Sequence, residues 1–320
     1  MNTSIAAASP EERARNADAV RSFFDPSRRA DRPGLFAEDM RMFLPFAGRV
    51  LPRILWDGLN ELEEMEALVQ TMFTGLRHYD VDIYECVDGR QFFVRSRYGE
   101  NDTLLYGRPY PQRFIHHFTV VDGKIRRWDE YFDSALLADV LDSQTPLPFP
   151  DTVDLRAGTV SDPADRDRVR AENEKVIRQF LTVDPYDPDA RRSLWAPNAV
   201  KELAWIPSGF PVWRWSGPDE LAEETSEGRT LFDSCWHADL KIFPTTDPEI
   251  FWATSRMDPR CRQAARRYPQ LFVLGFRVEN GKVAVFQEYF DTALLAAVHR
   301  PEVNHVNPGN HAALDLAAAR

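Results

Sequence analysis

Cysteine is nearly absent: Cys86, Cys235 and Cys261 are the three in 320 residues. They are odd in number, far apart and without CxxC spacing, so neither a disulfide framework nor a cysteine zinc site is encoded. They read as small core or surface thiols. No apolar run approaches the ~20 residues that cross a bilayer as a helix. The amino terminus, MNTSIAAASPEERAR, has neither the basic leader nor the long apolar stretch of a secretory signal, so a cytoplasmic protein is expected. Positive charge is in deficit too. Thirty-nine Lys and Arg against 50 Asp and Glu leave a net charge of −11 and a pI near 5.2. Such a surface repels nucleic-acid phosphates and anionic lipid, which removes both from the expected partners. No nucleotide-binding or metal motif is present, so no cofactor and no metal ligand is expected. The 43% hydrophobic and 12% aromatic content argues against disorder.

What is present is a long internal repeat. Residues 110–137, YPQRFIHHFTVVDGKIRRWDEYFDSALL, answer residues 268–295, YPQLFVLGFRVENGKVAVFQEYFDTALL, so that Tyr110, Phe114, Gly123, Lys124, Glu130, Tyr131, Phe132, Asp133 and Leu136 recur 158 positions later. Upstream, the segment from Asn16 to Phe24 answers that from Asn173 to Leu181, and Gly58-Leu-Asn-Glu-Leu answers Gly217-Pro-Asp-Glu-Leu. The expected organisation is two modules, 10–141 and 167–300, each large enough for its own core. Between them the proline-punctuated and polar stretch 142–166 reads as a linker. A tail, 301–320, carries His305 and His311 as solvated residues rather than metal ligands.

Within one copy the pattern runs from helices to strands. Ser9-Pro10-Glu11-Glu12 has the cap, first-turn proline and acids of a helix start, continuing to Phe24, and a second helix is expected over Asn60–Phe73. Strand-like runs follow at Val81–Cys86, Phe92–Tyr98, Arg113–Val121 and Lys124–Phe132, the last two joined by the tight-turn pair Asp122-Gly123. They suggest an antiparallel meander. Asp133 then caps a short closing helix, and Asp291 does the same in the second copy. The module is therefore of the α+β class.

The chemistry concentrates in the last strand. Alternation puts Trp128, Glu130 and Phe132 on one face, and Phe286, Glu288 and Phe290 on one face in the second copy. A carboxyl among aromatics is desolvated, which favours its neutral form and makes it a proton donor or acceptor near neutral pH. Pairing with an arginine, or a wet sheet edge, is the competing explanation. On the neighbouring strand His116 shares a face with Phe114 and Phe118 and is a candidate inward imidazole, whereas His117 points the other way. Tyr110 and Tyr268 precede prolines, so a turn role competes with hydrogen bonding to a substrate.

The ending EYFDxALL after an aromatic strand, preceded by a DGKI or NGKV turn, resembles the SnoaL-like and ketosteroid-isomerase-like superfamily. Within it, IFPTTDPEIFWATSR, SGPDELAEE, LFAEDMR and DGKIRRWDEYF are similar to phenazine biosynthesis protein A/B. The resemblance implies a cone-shaped module, a curved antiparallel sheet wrapped by helices around a pocket, used twice in tandem. It also implies condensation of a carbonyl with an amine by a pocket glutamate, a helix histidine, a tyrosine and an arginine. By position the glutamate falls on Glu130 and Glu288, the tyrosine on Tyr110 and Tyr268, and the arginine on Arg41. The histidine does not carry over, since Met65 and Glu224 hold its places. Arg256-Met257-Asp258 resembles the arginine–aspartate pair of limonene epoxide hydrolases, with Glu288 completing the set in the second copy alone. Superfamily members pair through their sheets, so an internal pseudo-dimer of the repeats, or a homodimer, is expected.

These readings converge on a cofactor-independent acid–base enzyme of secondary metabolism that condenses, cyclises or isomerises a carbonyl-containing small molecule. Its expected catalytic residues are Glu130, His116 and Glu288, with Arg41, Tyr110, Trp128, Tyr268, Glu224, Arg256 and Asp258 around the substrate. A non-catalytic small-molecule-binding protein and an epoxide hydrolase are the alternatives. The first copy is expected to hold the better-equipped pocket, because Leu274 stands where the first has His116.

Overall fold

The computed structural model describes residues 7–142, 151–158, 165–205, 213–262 and 266–299. They form two compact α+β units that divide between residues 148 and 149.

In the first unit the helix Pro10–Phe24 begins where Ser9 Oγ accepts the Glu12 amide at 3.2 Å. Its apolar side carries Ala19, Val20 and Phe23, all less than 5% exposed. A 3₁₀ run, Pro26–Leu35, then leads into a strand, Phe36–Phe43, that the sequence pattern had not marked. The other strands fall close to expectation, at His78–Glu85, Gln91–Tyr98, Arg113–Val121 and Lys124–Phe132, and the second helix spans Leu59–Met72. Asp122 and Gly123 take φ values of 51° and 76°, the left-handed pair a two-residue hairpin needs, and Asn280 and Gly281 repeat it at 50° and 70°.

The sheet corrects the expectation of a purely antiparallel meander. Its order is Leu55–Asp57, Phe36–Phe43, Lys124–Phe132, Arg113–Val121, Gln91–Tyr98, His78–Glu85, and Phe36–Phe43 pairs parallel with Lys124–Phe132. The chain leaves the first helix and enters the sheet beside its last strand in the same direction, so one parallel pair is unavoidable. The second unit has the same order and the same parallel pair, Trp195–Leu203 with Lys282–Phe290.

Each sheet closes on an aromatic core. Phe23 meets Phe118 and Trp128 edge-on at 5.2 and 4.9 Å, and Phe180 meets Trp195 and Phe286 at 4.7 and 5.3 Å. Each fully buried ring contributes about 1.5–3 kcal/mol of transfer free energy. The repeated asparagine has a structural cause. Asn16 is fully buried, donates to the Gly89 carbonyl at 2.9 Å and accepts the Gly123 amide at 2.8 Å, which ties the first helix to two hairpin turns. Asn173 donates to the Pro248 carbonyl at 3.0 Å.

Of the stretch expected as a linker, residues 143–150 and 159–164 lie outside the described residues, while 151–158 pack on the sheet of the second unit. Leu155 is fully buried and lies so close to Gly275 that a Cβ there would stand 3.0 Å from its Cδ1. The Val153 amide donates to Glu202, and Gln287 Nε2 donates to the Val153 carbonyl at 2.8 Å. The tail at 301–320, with His305 and His311, lies outside the described residues. Among the described residues no helix is long and apolar enough to cross a membrane.

Candidate functional site

Glu130 and His116 are cross-strand partners, with Glu130 Oε2 3.4 Å from His116 Nδ1. His116 is fully buried, its ring stacked between Phe114 at 5.5 Å and Phe118 at 5.7 Å. Glu130 keeps 13% of its side chain exposed, so the carboxyl is largely buried yet can be reached. Burial pushes it from 4.5 up to about 8, with the Arg32 guanidinium pulling it partly back. At pH 7 this carboxyl is mostly neutral.

The imidazole is held by a chain of hydrogen bonds. Trp128 Nε1 donates to His116 Nδ1 at 3.1 Å, and because an indole N–H can only donate, that nitrogen is the bare one. The proton of His116 is therefore assigned to Nε2, which lies 3.0 Å from Ser96 Oγ, and Ser96 in turn lies 2.9 Å from His78 Nδ1. Burial lowers His116 well below its ordinary value and His78 to about 3, so both stay neutral. Trp128 thus acts on His116 and the core rather than lining the cone as a substrate contact.

Around Glu130 lie two phenols and an arginine. Tyr110 is 3% exposed and accepts from Gln112 Nε2 at 3.1 Å, while the same amide donates to the Asp133 carbonyl at 2.9 Å, so its position is set by the strand end. Burial, and next the charge of Glu130, raise Tyr98. Arg32 lies 4.7 Å over the Phe23 ring and donates to the Phe23 carbonyl. Phe73, 5.6 Å from Tyr110, also lines an open cleft of about 450 Å³ with Arg29, Gln70, Thr74, Gly75 and Leu76. Arg41 lies on the opposite face of the sheet: its register partner is Arg127, and its Nε contacts Asp57 Oδ1 at 2.5 Å.

The second unit builds a different centre from the same positions. Lys201, in register with Phe286 where the first unit has Met42 in register with Trp128, places its ammonium 2.6 Å from Glu224 Oε1 and 3.0 Å from Glu288 Oε2. Burial draws the ammonium down, but the two carboxylates outweigh it and hold its pKa above the ordinary value. Tyr268 accepts from Gln270 at 2.8 Å, repeating Tyr110. His237 Nδ1 lies 2.8 Å from Ser255 Oγ, repeating His78 and Ser96, but Leu274 ends the chain there. The structure does not bring Arg256 and Asp258 to Glu288. Arg256 is in register with Leu271, one residue out of phase with the inward Ser255, and faces Asp239 at 3.9 Å; Asp258 is ion-paired with Arg267.

Sequence reasoning missed Arg32, His78, Ser96 and their counterparts Arg191, His237 and Ser255, although each pair recurs 159 positions apart. That recurrence was the available signal. It lay outside the long repeated stretch and, apart from Ser255, in segments that no motif had marked. Lys201 carried no signal, because nothing repeats it.

Residues 11–128 match the SnoaL-like domain family. No curated protein matches the chain. Among solved structures it is similar to a phenazine biosynthesis-related protein from Pseudomonas aeruginosa, at 20% identity over 42% of this chain and 89% of that one, with a TM-score of 0.38. It is likewise similar to an NTF2-like protein of unknown function from Burkholderia pseudomallei, at 19% identity over 40% and 96% of the two chains, TM-score 0.34. A third is an LEH-like epoxide hydrolase from M. tuberculosis, at 17% identity over 46% and 97%, TM-score 0.31.

Proposed function

We propose that this chain, with its SnoaL-like domain over 11–128, is a cofactor-independent acid–base enzyme acting on a carbonyl-containing small molecule, with Glu130 as the proton shuttle. The observation that carries the reading is a carboxyl raised to about 8 in an aromatic cone that still leaves it 13% exposed. Near neutral pH such a group donates a proton to a carbonyl or imine oxygen or nitrogen, and the carboxylate left behind withdraws one from carbon. That sequence serves condensation, cyclisation and isomerisation alike. Neutral His116 lies 3.4 Å from the acid with the lone pair of its bare nitrogen already accepting from the Trp128 indole, so it leaves the proton on Glu130. An epoxide hydrolase built on Arg256, Asp258 and Glu288 finds less support, since the first two are engaged away from the third.

The test is proton exchange. The full chain is incubated in deuterium oxide with a panel of cyclic and β-dicarbonyl ketones, and deuterium at the α-carbon is followed by NMR. Glu130→Gln should lower catalysed exchange by about 10²- to 10⁴-fold, the usual contribution of a general acid–base group. Exchange that survives Glu130→Gln rules out this role for the glutamate, and ligand binding with no exchange across the panel favours a non-catalytic binding protein.

A further inference from the structure

We propose that the outer face of the second unit's sheet is a docking groove for an extended peptide with one aliphatic anchor, and that residues 151–158 are its tethered, releasable occupant.

The groove reads backbone. Residues 151–158 belong to the second unit and to no strand, yet five of their main-chain groups are held by side chains of the sheet. The Val153 amide donates to the two Glu202 carboxylate oxygens at 3.1 and 3.0 Å, and the Val153 carbonyl accepts from Gln287 Nε2 at 2.8 Å. Arg214 Nη2 donates to the Asp151 carbonyl at 2.6 Å, while Arg277 Nη1 donates to the carbonyl of Asp154 at 3.2 Å and to that of Ala157. Bonds to backbone are blind to side chains, so they give affinity for an extended segment of any sequence. Selectivity comes from one notch. Leu155 is fully buried, whereas the other residues of the segment are half-buried or exposed. A Cβ on Gly275 would stand 3.0 Å from Leu155 Cδ1 and 3.4 and 3.5 Å from atoms of the Trp252 ring, so the leucine has room because residue 275 has no side chain.

The receptor side is oriented without its occupant. Glu202 and Gln287 are fully buried register partners, and Gln287 is also in register with Gly275, which sets the three side by side on neighbouring strands. Glu202 accepts from Arg214 Nε and Nη2 at 2.9 and 2.6 Å and from Gln287 Nε2 at 2.7 Å, and Tyr289 donates to Gln287 Oε1 at 2.9 Å. All of these partners belong to the sheet, so the carboxylate and the amide stay paired when the segment leaves. One leucine and a set of backbone bonds then make release a local opening rather than an unfolding. The first unit cannot offer the same groove. In register at the same places it has Phe43, Asp129 and His117, a phenyl ring that accepts no amide and an imidazole where the notch would be.

The probe is a dye-labelled, amidated peptide of residues 151–158, titrated against the full chain and followed by fluorescence polarisation. Leu155→Asp in the full chain expels the segment and leaves every receptor group in place. That variant should bind the free peptide saturably and at least about tenfold more tightly than the wild type, whose own segment competes for the groove. The same peptide carrying Leu155→Asp should not bind, and Gly275→Val added to the variant should abolish binding by filling the notch. Hydrogen exchange of the wild type gives a measure that needs no folded variant: the Val153 amide should exchange faster than the protected amides of the strand Gln270–Glu279 beneath it. Exchange of Val153 only together with that strand overturns the proposal. So does a folded Leu155→Asp chain that takes the peptide no better than the wild type, or binding that Gly275→Val leaves intact.

Discussion

Glu130→Gln tests the electrostatics of the first unit without any substrate. The carboxyl stands at 4.5 in the unfolded chain and at about 8 in the fold. Between those values the folded state binds more protons, so this group's contribution to stability is lost as pH rises from 4.5 through about 8. At about 1.4 kcal/mol per pH unit the whole window is worth up to about 5 kcal/mol, and about 2–3 kcal/mol of it falls between pH 6 and pH 9. The 13% exposure of the side chain and relaxation around a buried charge reduce that to about 2 kcal/mol. Glutamine has the same shape and no titration. Its stability relative to wild type should therefore rise by about 2 kcal/mol from pH 6 to pH 9, a gain of about 5–8 °C in the melting temperature of a unit this size. Other titrating groups cancel in the comparison. Thermal and urea melts of both proteins across that range supply the measurement. A gap between variant and wild type that stays constant with pH would mean that Glu130 titrates as an exposed carboxyl, and the acid role would lose its basis.

Further outcomes follow from the same structure. Ser96→Ala removes the bridge between His78 and His116, and should destabilise the protein by about 1–3 kcal/mol and lower any Glu130-dependent exchange. Ser255→Ala, which breaks only the pairing with His237, should leave that exchange unchanged; equal effects of the two on exchange would refute the chain's role. His78 and His237 are lowered by burial from 6.5 to about 3, and His116 is lowered too, so the fold should lose stability as pH falls below 6.5, seen as urea midpoints declining from there. Midpoints flat down to pH 4 would show that these rings are not buried neutral. Expressed separately, residues 1–142 and 151–299 should each give a cooperative melt, because each carries its own aromatic core; a fragment that stays unfolded would contradict that division.

Much of the architecture was legible in the residues themselves. A repeat of 158 positions announces two modules, and short-range rules place the Ser9 cap, the Asp122-Gly123 hairpin and the Asp133 helix start, because caps and tight turns depend on a few adjacent residues. Strand alternation likewise put Glu130 among aromatics and turned His116 toward it. What the chain could not state locally was the company those groups keep. The parallel pairing of Phe36–Phe43 with the last strand, Arg41 turned to the outer face, and Trp128 bound to His116 rather than facing a ligand all arise from contacts between segments distant in sequence. The clearest case is the repeated glutamate. Sequence made Glu130 and Glu288 equivalent, but only the fold sets neutral His116 beside one and the ammonium of Lys201 beside the other, because protonation responds to charge and burial in space and not to position along the chain.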